Sequence, residues 1–531
     1  MSPVSALHGQ TSSIWLAVGQ PELTMDAGLY SLEPKFQPQE KETMRVDRNV
    51  PSSEDDLCYT SATDLATAIR KRELSPVDVV QAVLNRIERL EPRINCLVTK
   101  TAESALQQAR EAEKMLMSVP VEKLPALHGI PVTVKDLEDT AGVRTTYGSR
   151  NFADHYPTSD STIWSRLKAA GAILIGKTTT PEFGCHGVTE SLLTGITNNP
   201  WDLSRTTGGS SGGAAAAIAA GFGPLATGSD GGGSIRVPSS FCGIVGLKPS
   251  TGRIPYNGRD NAFESVVVVG PMTRTVADSA LMLNVTSGPA LYDAVSLPAP
   301  DVDYLEAVRH ASVVGLRIGF CPDLKSGPVD PEVIEVVSKA VEKFHTELKA
   351  SVDIVNVELP DPIQYFKDWW GPEFAMIYED LFLSFNKPEN IPAHLPTIAG
   401  WGISMSVVEH AKVRSQTRSK IHSAFADVFA QYDLLIWPTT PVTAFKHPGA
   451  VGGQTHINGI PVKEPILDNQ RFTEAVSHAG YPAITVPAGF TASGLPVGMQ
   501  IAAPHGRDDA VLIAAACFEQ AMPWAVFRPN L

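Results

Sequence analysis

The sequence has few cysteines, little basic charge and no long apolar run. Its 531 residues include 6 cysteines, which are scattered without a CxxC pair or a metal-type spacing with histidine. This usage is typical of reduced, buried thiols and argues against a disulfide scaffold or a zinc site. The 43 Lys and Arg residues are outnumbered by 57 Asp and Glu residues, so the formal net charge is −14. Because phosphate backbones are bound by basic surfaces, this balance argues against a nucleic-acid partner.

Export and membrane signals are also scarce. The early apolar cluster at 14–18 is shorter than the hydrophobic stretch of a signal peptide. The longest run of small and apolar residues, 214–228, is interrupted by Gly and Pro and is too short to span a bilayer. We therefore expect a cytoplasmic protein with no membrane partner. Apolar residues make up 43% of the chain and charged residues 19%, which excludes bulk disorder.

The N-terminal segment differs from the rest of the chain. Residues 1–55 carry Gly, Pro, Ser, Gln and charge without a clear period, which predicts a loosely ordered extension. Met25 and Met44 are candidate start sites within it.

Periodic elements begin near Ala62. Apolar residues then recur at helical spacing, and Ser75-Pro76 has the form of a helix N-cap and first turn. We predict strands at 127–135, 172–175, 314–319, 433–437, 483–487 and 496–501, and helices at 102–117, 160–170, 214–220, 331–348, 406–431, 467–479 and 507–520. This alternation predicts an α/β fold with a central mixed sheet covered by helices on both faces.

A segment of about 360–404 is less regular and is rich in Trp, Phe and Tyr. Its aromatic side chains suit either a satellite core or an apolar substrate wall, and the residues alone leave both open. If they face the site, Trp369, Trp370 and Phe374 would favour aryl or long apolar groups of a substrate.

One motif is misleading. Residues 171–178 (GAILIGKT) satisfy the pattern GxxxxGK[ST] of a phosphate-binding loop. Such a loop lies between a strand and a helix, whereas here AILI is itself strand-like and no helix pattern follows. We predict no nucleotide site at this position.

The informative region is 205–248, which contains two glycine-flanked serine turns. The first is GGSSGG at 208–213 with Ser210, and the second is GSDGGGSIR at 228–236 with Ser234. Both turns are embedded in apolar sequence, so a flexible linker is excluded. Successive glycine N–H groups can converge on one anionic oxygen, and each such donor is worth ~3–4 kcal/mol of barrier in acyl transfer. Ser234 then becomes a candidate nucleophile that needs a base.

The best candidate base is Lys135, which ends the apolar strand IPVTVK. Burial lowers the pKa of a lysine, so that the neutral amine can accept a proton. Pairing of Lys135 with Asp136 or with another acid is an equally good interpretation of the sequence. His128 and His186 are the nearest upstream histidines, but histidines beside strands or in loops are more often structural.

These residues resemble the amidase signature hydrolases, which use a Ser–cis-Ser–Lys triad. The resemblance is carried by the two turns and by GIPVTVKD (129–136), PEFG (181–184), FCGIVGLKPS (241–250), GPMTRTVADSALML (270–283), GYPAITVPAGF (480–490) and GLPVGMQIAAP (494–504). It covers roughly residues 60–525 and so implies one catalytic domain, 56–531, rather than several domains.

By this resemblance Ser234 is the nucleophile, Lys135 the terminal base and Ser210 the bridging serine. The peptide bond from Gly209 to Ser210 is cis in the family. The resemblance further implies these oxyanion donors and supporting residues: the N–H groups of Gly231, Gly232, Gly233 and Ser234, with Ser211 beside the lysine and Asp230 paired with Arg236 to brace the turn. Surface roles for Ser211, Asp230 and Arg236 stay open.

One position departs from the family. Many members have Thr or another β-branched residue where Gly231 stands. A glycine there keeps the amide N–H, and we expect it to make the loop more adaptable and the site slightly roomier.

The resemblance implies hydrolysis of a carboxylic amide C–N bond through a serine acyl-enzyme, with no metal and no organic cofactor. The partner is a small-molecule amide, anilide, ester or carbamate. A carbamate (urethane) or nylon-oligomer hydrolase would use the same triad. The glutamine-dependent subunit that transamidates charged tRNA also shares it, but the −14 charge and the aromatic 360–404 segment argue against that function. A homodimer is kept as a candidate assembly.

Overall fold

The computed structural model describes residues 53–256, 262–385, 387–449 and 452–531. The predicted N-terminal extension therefore lies outside the described residues up to residue 52. Its last residues are helical, because Ser53 caps a helix that begins at Glu54. The described residues all belong to one compact unit.

Sixteen α-helices lie in the described ranges. They are α1 (Glu54–Tyr59), α2 (Ala62–Arg70), α3 (Pro76–Ile94), α4 (Ala102–Ser118), α5 (Thr162–Ala169), α6 (Gly212–Ala219), α7 (Arg236–Cys242), α8 (Val276–Thr286), α9 (Tyr304–Arg309), α10 (Pro331–Thr346), α11 (Pro362–Phe385), α12 (His394–Ile403), α13 (Val407–Lys412), α14 (Arg418–Phe429), α15 (Glu474–Ala479) and α16 (Asp508–Ala521). The cap predicted for α3 is confirmed: the Ser75 side chain accepts from the Val77 N–H, and Pro76 opens the helix. None of these helices is long and apolar enough to cross a bilayer.

Strands alternate with these helices. The described strands are β1 (Leu97–Lys100), β2 (Pro131–Lys135), β3 (Ile173–Thr178), β4 (Glu190–Ser191), β5 (Gly195–Ile196), β6 (Asn198–Asn199), β7 (Asp202–Thr206), β8 (Leu225–Asp230), β9 (Val245–Lys248), β10 (Val268–Thr273), β11 (Arg317–Phe320), β12 (Ser351–Ile354), β13 (Leu434–Pro438), β14 (His456–Ile457), β15 (Ile460–Pro461), β16 (Ala483–Phe490) and β17 (Pro496–Ala502). Eleven of them form one sheet in the order β1-β3-β2-β8-β10-β9-β16-β17-β13-β11-β12.

The sheet is mixed. β3, β2 and β8 are parallel to one another, as are β13, β11 and β12, while the strands between these groups pair antiparallel. The predicted α/β class, with one large domain around a mixed sheet, is confirmed. The misleading motif at 171–178 forms β3, a buried strand, as its apolar residues predicted.

Strand direction brings the two serine turns and the candidate base together. β2 and β8 are parallel neighbours, with Val132 paired to Leu225, so their carboxyl ends lie at the same edge of the sheet. Lys135 ends β2, and the GGG turn follows the end of β8. The GGSSGG turn leads into α6, whose residues are all buried. A Cβ on Gly213 would lie only 2.4 Å from Thr179 Oγ1, so glycine lets α6 approach β3 closely.

The aromatic-rich segment is more regular than its sequence indicates. The expectation of an irregular stretch was wrong, because α11 and α12 form a pair of packed helices across 362–403. The dense aromatic residues mask the helical period, since most positions of α11 are apolar.

Candidate active site

Lys135 is fully buried at the end of β2 and is surrounded by serine hydroxyls. Its Nζ lies 2.8 Å from Ser210 Oγ, 2.8 Å from Ser211 Oγ and 2.9 Å from Ser229 Oγ. Burial lowers the pKa of Lys135 to about 7, and the nearby carboxylates of Glu138 and Asp230 offset only part of that effect. At neutral pH a large share of this amine is therefore uncharged.

The alternative pairing of Lys135 with Asp136 is not found in the described structure. The Asp136 carboxylate instead accepts hydrogen bonds from the N–H and the hydroxyl of Thr146. Lys135 thus has hydroxyl partners where an acid would have held it protonated.

The hydrogen-bond roles around the amine follow from the geometry. Ser211 Oγ is placed to donate to the Ser229 carbonyl at 3.3 Å, so it accepts from Lys135 Nζ. A neutral amine has two N–H donors and one lone pair. With three hydroxyls in contact, one of Ser210 and Ser229 can then donate its proton to Nζ.

Ser229 was not among the residues predicted from the sequence. It lies inside the second turn motif, next to Asp230, but its side chain faces Lys135 only because β2 and β8 are neighbours in the sheet. Its position in a glycine-rich motif was the available signal.

Ser210 and Ser234 line one cavity of about 220 Å³. The peptide bond between Gly209 and Ser210 is cis, as the resemblance implied. The two turns are joined by a 3.1 Å hydrogen bond from the Ser211 N–H to the Ser234 carbonyl. No hydrogen bond links the two hydroxyls of Ser210 and Ser234 in the described structure. Such contacts are often long without substrate and tighten when it binds.

A side chain on each glycine of the GGG turn would meet a different neighbour. Gly233 has a φ of +127°, and a Cβ there would lie 2.0 Å from Thr473 Oγ1. A Cβ on Gly232 would lie 2.2 Å from Glu474 Oε2. A Cβ on Gly231 would lie 2.8 Å from the indole of Trp370, so the expectation of a roomier site at this position was wrong.

The N–H groups of the turn are available to a ligand. Within the described residues, the N–H groups of Gly231, Gly232, Gly233 and Ser234 donate no hydrogen bond to another protein atom. Gly231, Gly232 and Ser234 line the cavity, whereas Gly233 does not. The turn can therefore direct several donors at one oxygen.

A buried ion pair braces the same turn. Arg236 and Asp230 are fully buried, with Nη2–Oδ1 at 2.8 Å and Nε–Oδ2 at 3.0 Å. Burial alone would raise the pKa of Asp230, but the charge and hydrogen bonds of Arg236 hold it below its ordinary value. Asp230 Oδ2 also accepts from the Ile235 N–H at 3.2 Å, which closes the loop around the glycines. Surface roles for the pair are excluded.

Aromatic side chains form one wall of the cavity, but not all of the predicted ones. Trp370 and Phe374 line it, together with Phe366 from the same helix α11, which was not among the predicted residues. Trp369 does not line the cavity. Its ring packs in the core, with the guanidinium of Arg414 over it at 4.4 Å. Because it stands one residue before Trp370 in a helix, its side chain points to a different face of α11.

The cavity is lined by Leu137, Phe183, Gly184, Cys185, Ser210, Ser229, Gly231, Gly232, Ser234, Tyr256, Glu264, Val267, Phe366, Trp370, Glu373, Phe374, Ile377 and Gln470. The rejected bases lie elsewhere: His128 Nε2 is bonded to the Ala112 carbonyl and His186 Nε2 to the Gly452 carbonyl. In the described ranges no group of three or more His, Cys, Asp or Glu side chains is arranged to hold a metal ion.

Comparisons with known proteins point to one family. The profile of the family described as Amidase matches residues 78–512. An acylamidase of Rhodococcus erythropolis is 39% identical over 478 residues, which cover 90% of this chain and 98% of that protein. A glutamyl-tRNA(Gln) amidotransferase subunit of Moorella thermoacetica is 34% identical, over 90% of this chain and 99% of its own. The crystal structure of a bacterial aryl acylamidase of the amidase signature family superposes with a TM-score of 0.82 at 32% identity, covering 88% of this chain and 97% of the other.

Proposed function

Because this chain belongs to the amidase family and is an amide C–N hydrolase, we propose that Ser234 is its nucleophile and that Ser210 and Lys135 take up the hydroxyl proton. The observation that carries the proposal is the buried amine of Lys135, which contacts Ser210 Oγ at 2.8 Å beside the cavity that Ser234 also lines. Ser210 and Ser234 come from different turns, and a polar cluster of this kind beside a cavity suits proton transfer.

In the first half of the reaction, Ser234 Oγ attacks the amide carbonyl carbon. Its proton passes to Ser210 Oγ while the Ser210 proton passes to the neutral Lys135 Nζ. The carbonyl oxygen becomes an oxyanion and accepts hydrogen bonds from the free N–H groups at 231–234. The C–N bond then breaks, the departing amine receives the proton by the same route, and Ser234 is left as an ester.

In the second half, water takes the place of the amine. It attacks the ester carbonyl, gives its proton to Lys135 through Ser210, and the proton returns to Ser234 as the carboxylic acid leaves. The lowered pKa of Lys135, about 7, allows the amine to accept and return protons near neutral pH. Ser211 and Ser229 hold the amine in place in both halves.

The walls of the cavity favour an aryl or apolar substrate. Phe366, Trp370 and Phe374 recur at a spacing of four residues along α11 and present one aromatic face to the cavity. The similar aryl acylamidase supports an aryl substrate, and the similar acylamidase supports hydrolysis of an acyl amide. Carbamates and nylon oligomers fit the same chemistry, and a panel of 4-nitroanilide, short aliphatic amide, carbamate and 6-aminohexanoate substrates separates these alternatives.

A second candidate is the amidase subunit of a tRNA-dependent amidotransferase, favoured by relatives such as the one from Moorella thermoacetica. The net charge of −14 argues against contact with tRNA. Copurification with a second subunit, or ammonia-dependent activity on charged tRNA, would favour this candidate over the simple hydrolase.

We also propose that the enzyme is cytoplasmic, acts on small molecules without nucleic acid or membrane, and forms a homodimer. All 6 cysteines are free and buried, which suits a reducing compartment. Light scattering of the purified enzyme tests the dimer.

The experiment that tests the catalytic proposal compares three variants on one anilide. We expect Ser234→Ala and Lys135→Ala to abolish turnover and Ser210→Ala to keep a small residual rate. A fluorophosphonate probe should label the wild type and leave Ser234→Ala unlabelled. Near-wild-type hydrolysis by Ser234→Ala would end the proposal.

A further inference from the structure

Trp370 lies so close to Gly231 that a side chain at position 231 would collide with its indole. A Cβ built on Gly231 lies 2.8 Å from Trp370 Cη2 and 2.9 Å from Cζ2, whereas the next neighbour, Val267, is 3.4 Å away. The φ of Gly231 lies outside the left-handed region, so an alanine could adopt its backbone. The indole is therefore the main obstacle to a side chain at this position.

The indole is held where it stands. Trp370 Nε1 donates to Glu474 Oε1 at 2.8 Å, and Oε1 also lies 2.7 Å from His478 Nε2. Its ring packs against Phe366 and Phe374, with centroids 6.2 Å and 5.9 Å away. The His478 ring is a third aromatic neighbour, with its centroid 5.7 Å away. Because a hydrogen bond and these three rings fix it, the indole cannot turn aside for a new side chain without losing contacts.

We propose that Gly231 and Trp370 act as a pair that sets substrate selectivity. The indole occupies the space into which a β-branched residue at 231 would project, and it forms a flat wall beside the oxyanion donors. This inference rests on the proposed function, in which the Gly231 N–H holds the scissile carbonyl oxygen. The wall then stands next to the carbonyl carbon. It admits planar or unbranched acyl groups and excludes acyl groups that are branched at the carbon next to the carbonyl.

Selectivity is tested with two substrates, the 4-nitroanilides of butanoic acid and 2-methylpropanoic acid. We expect Trp370→Ala to raise kcat/KM for the branched substrate relative to the linear one by about tenfold or more, because a branch then gains room. The matched control is Trp369→Ala, which removes a neighbouring indole of α11 that does not line the cavity. It should leave the ratio of the two kcat/KM values unchanged.

The pairing itself is tested by combining two substitutions. Gly231→Ala should lower kcat/KM for both substrates in the wild-type background, because its methyl group collides with the indole. In the Trp370→Ala background the same change should have little effect, so the two substitutions are far from additive. Additive effects together with an unchanged selectivity ratio in Trp370→Ala would overturn the inference.

A readout without substrate separates this inference from the proposed function. The thermal midpoints of the four proteins in the cycle should show the same coupling, with Gly231→Ala destabilising only when Trp370 is present. If Ser234→Ala keeps its activity, the proposed function fails while the midpoints still test the pair. If activity needs Ser234 but the shifts in thermal midpoint are additive, the coupling of Gly231 and Trp370 is refuted and the proposed function stands.

Discussion

Two buried lysines lie on neighbouring strands, and their surroundings differ. Lys135 ends β2, and Lys177 lies in β3, where it pairs with Val134 rather than with Lys135. Side chains alternate along a strand, so the two lysines point to opposite faces of the sheet. Lys135 contacts three serine hydroxyls, whereas Lys177 is bound by the Glu138 carbonyl and two threonine hydroxyls.

Burial acts on both lysines alike, so it cannot distinguish a base from a structural cation. It lowers the pKa of Lys135 to about 7 and that of Lys177 to about 8, and Asp136 and Glu138 lead the charges that offset the effect at Lys177. The difference is access: two of the hydroxyls on Lys135 line the cavity, while no partner of Lys177 does. A buried lysine can act as a base when its partners carry protons to a cavity.

The largest expected effect is the loss of activity when Lys135, but not Lys177, is replaced by methionine. Methionine is similar in length to lysine and uncharged. We expect Lys135→Met to lower kcat/KM on an anilide by at least about 10³-fold, because the proton acceptor is gone. Lys177→Met should keep kcat/KM close to that of the wild type. It should lower the free energy of unfolding by about 1–3 kcal/mol, since the Glu138 carbonyl loses its donor while buried.

Urea unfolding followed by circular dichroism provides the stability measurement and shows that each variant is folded in the rate assay. The comparison fails if folded Lys177→Met is as inactive as Lys135→Met.

The pH dependence of kcat/KM should reflect the titration of Lys135. The protonated amine cannot accept a proton, so kcat/KM should fall as the pH drops below about 7 and level off above it. Lys177→Met should keep this profile. A profile without an acid limb between pH 6 and 8 would show that the base is another group.

Stability should respond to pH at both lysines. Between the folded pKa, about 7 for Lys135 and about 8 for Lys177, and the ordinary value of 10.5, the unfolded chain holds a proton that the folded chain lacks. The free energy of unfolding therefore rises with pH across that window. In each methionine variant the free energy of unfolding should rise less steeply with pH, by the contribution of one proton. Only Lys135→Met should also abolish turnover.

A smaller effect is expected from Glu138, whose carboxylate lies near both amines. Burial raises the pKa of Glu138 to about 7, so this group titrates in the same range as Lys135. Its negative charge raises the pKa of Lys135. Glu138→Gln should therefore keep the acid limb of the rate profile and move it to lower pH. Loss of the limb would assign it to Glu138.

Local signals predicted Ser234 as a candidate nucleophile and Lys135 as a candidate base, and the resemblance to the amidase signature hydrolases added Ser210 as the bridging serine. Ser210 and Ser234 stand in glycine turns within apolar sequence, and Lys135 ends an apolar strand. Ser229 was not predicted from the sequence, because its contact with Lys135 depends on the pairing of β2 with β8. Trp369 and Trp370 point in different directions because they lie in helix α11. The many aromatic residues hid the period of this helix, so the difference could not be predicted.

The fold shows the same division between local and distant information. The start of α3 follows from Ser75 and Pro76 in sequence, and most of the helices and strands that were predicted after it lie within a few residues of elements in the structure. Other elements were not predicted, among them β8, β9, β10, α7 and α8. The strand order does not follow from local patterns. β9 lies beside β16 because of packing between segments that are far apart in the chain.

The smallest expected effect concerns one hydroxyl at each lysine. Ser229→Ala removes a partner of Lys135 Nζ at 2.9 Å, and Thr145→Val removes a partner of Lys177 Nζ at 3.0 Å. One such hydrogen bond is worth about 1 kcal/mol, so we expect Ser229→Ala to lower kcat/KM by about fivefold. Thr145→Val should leave kcat/KM unchanged and lower only the urea midpoint. Equal rate losses in the two variants would mean that both hydroxyls act through the packing of the sheet rather than through the amine of Lys135.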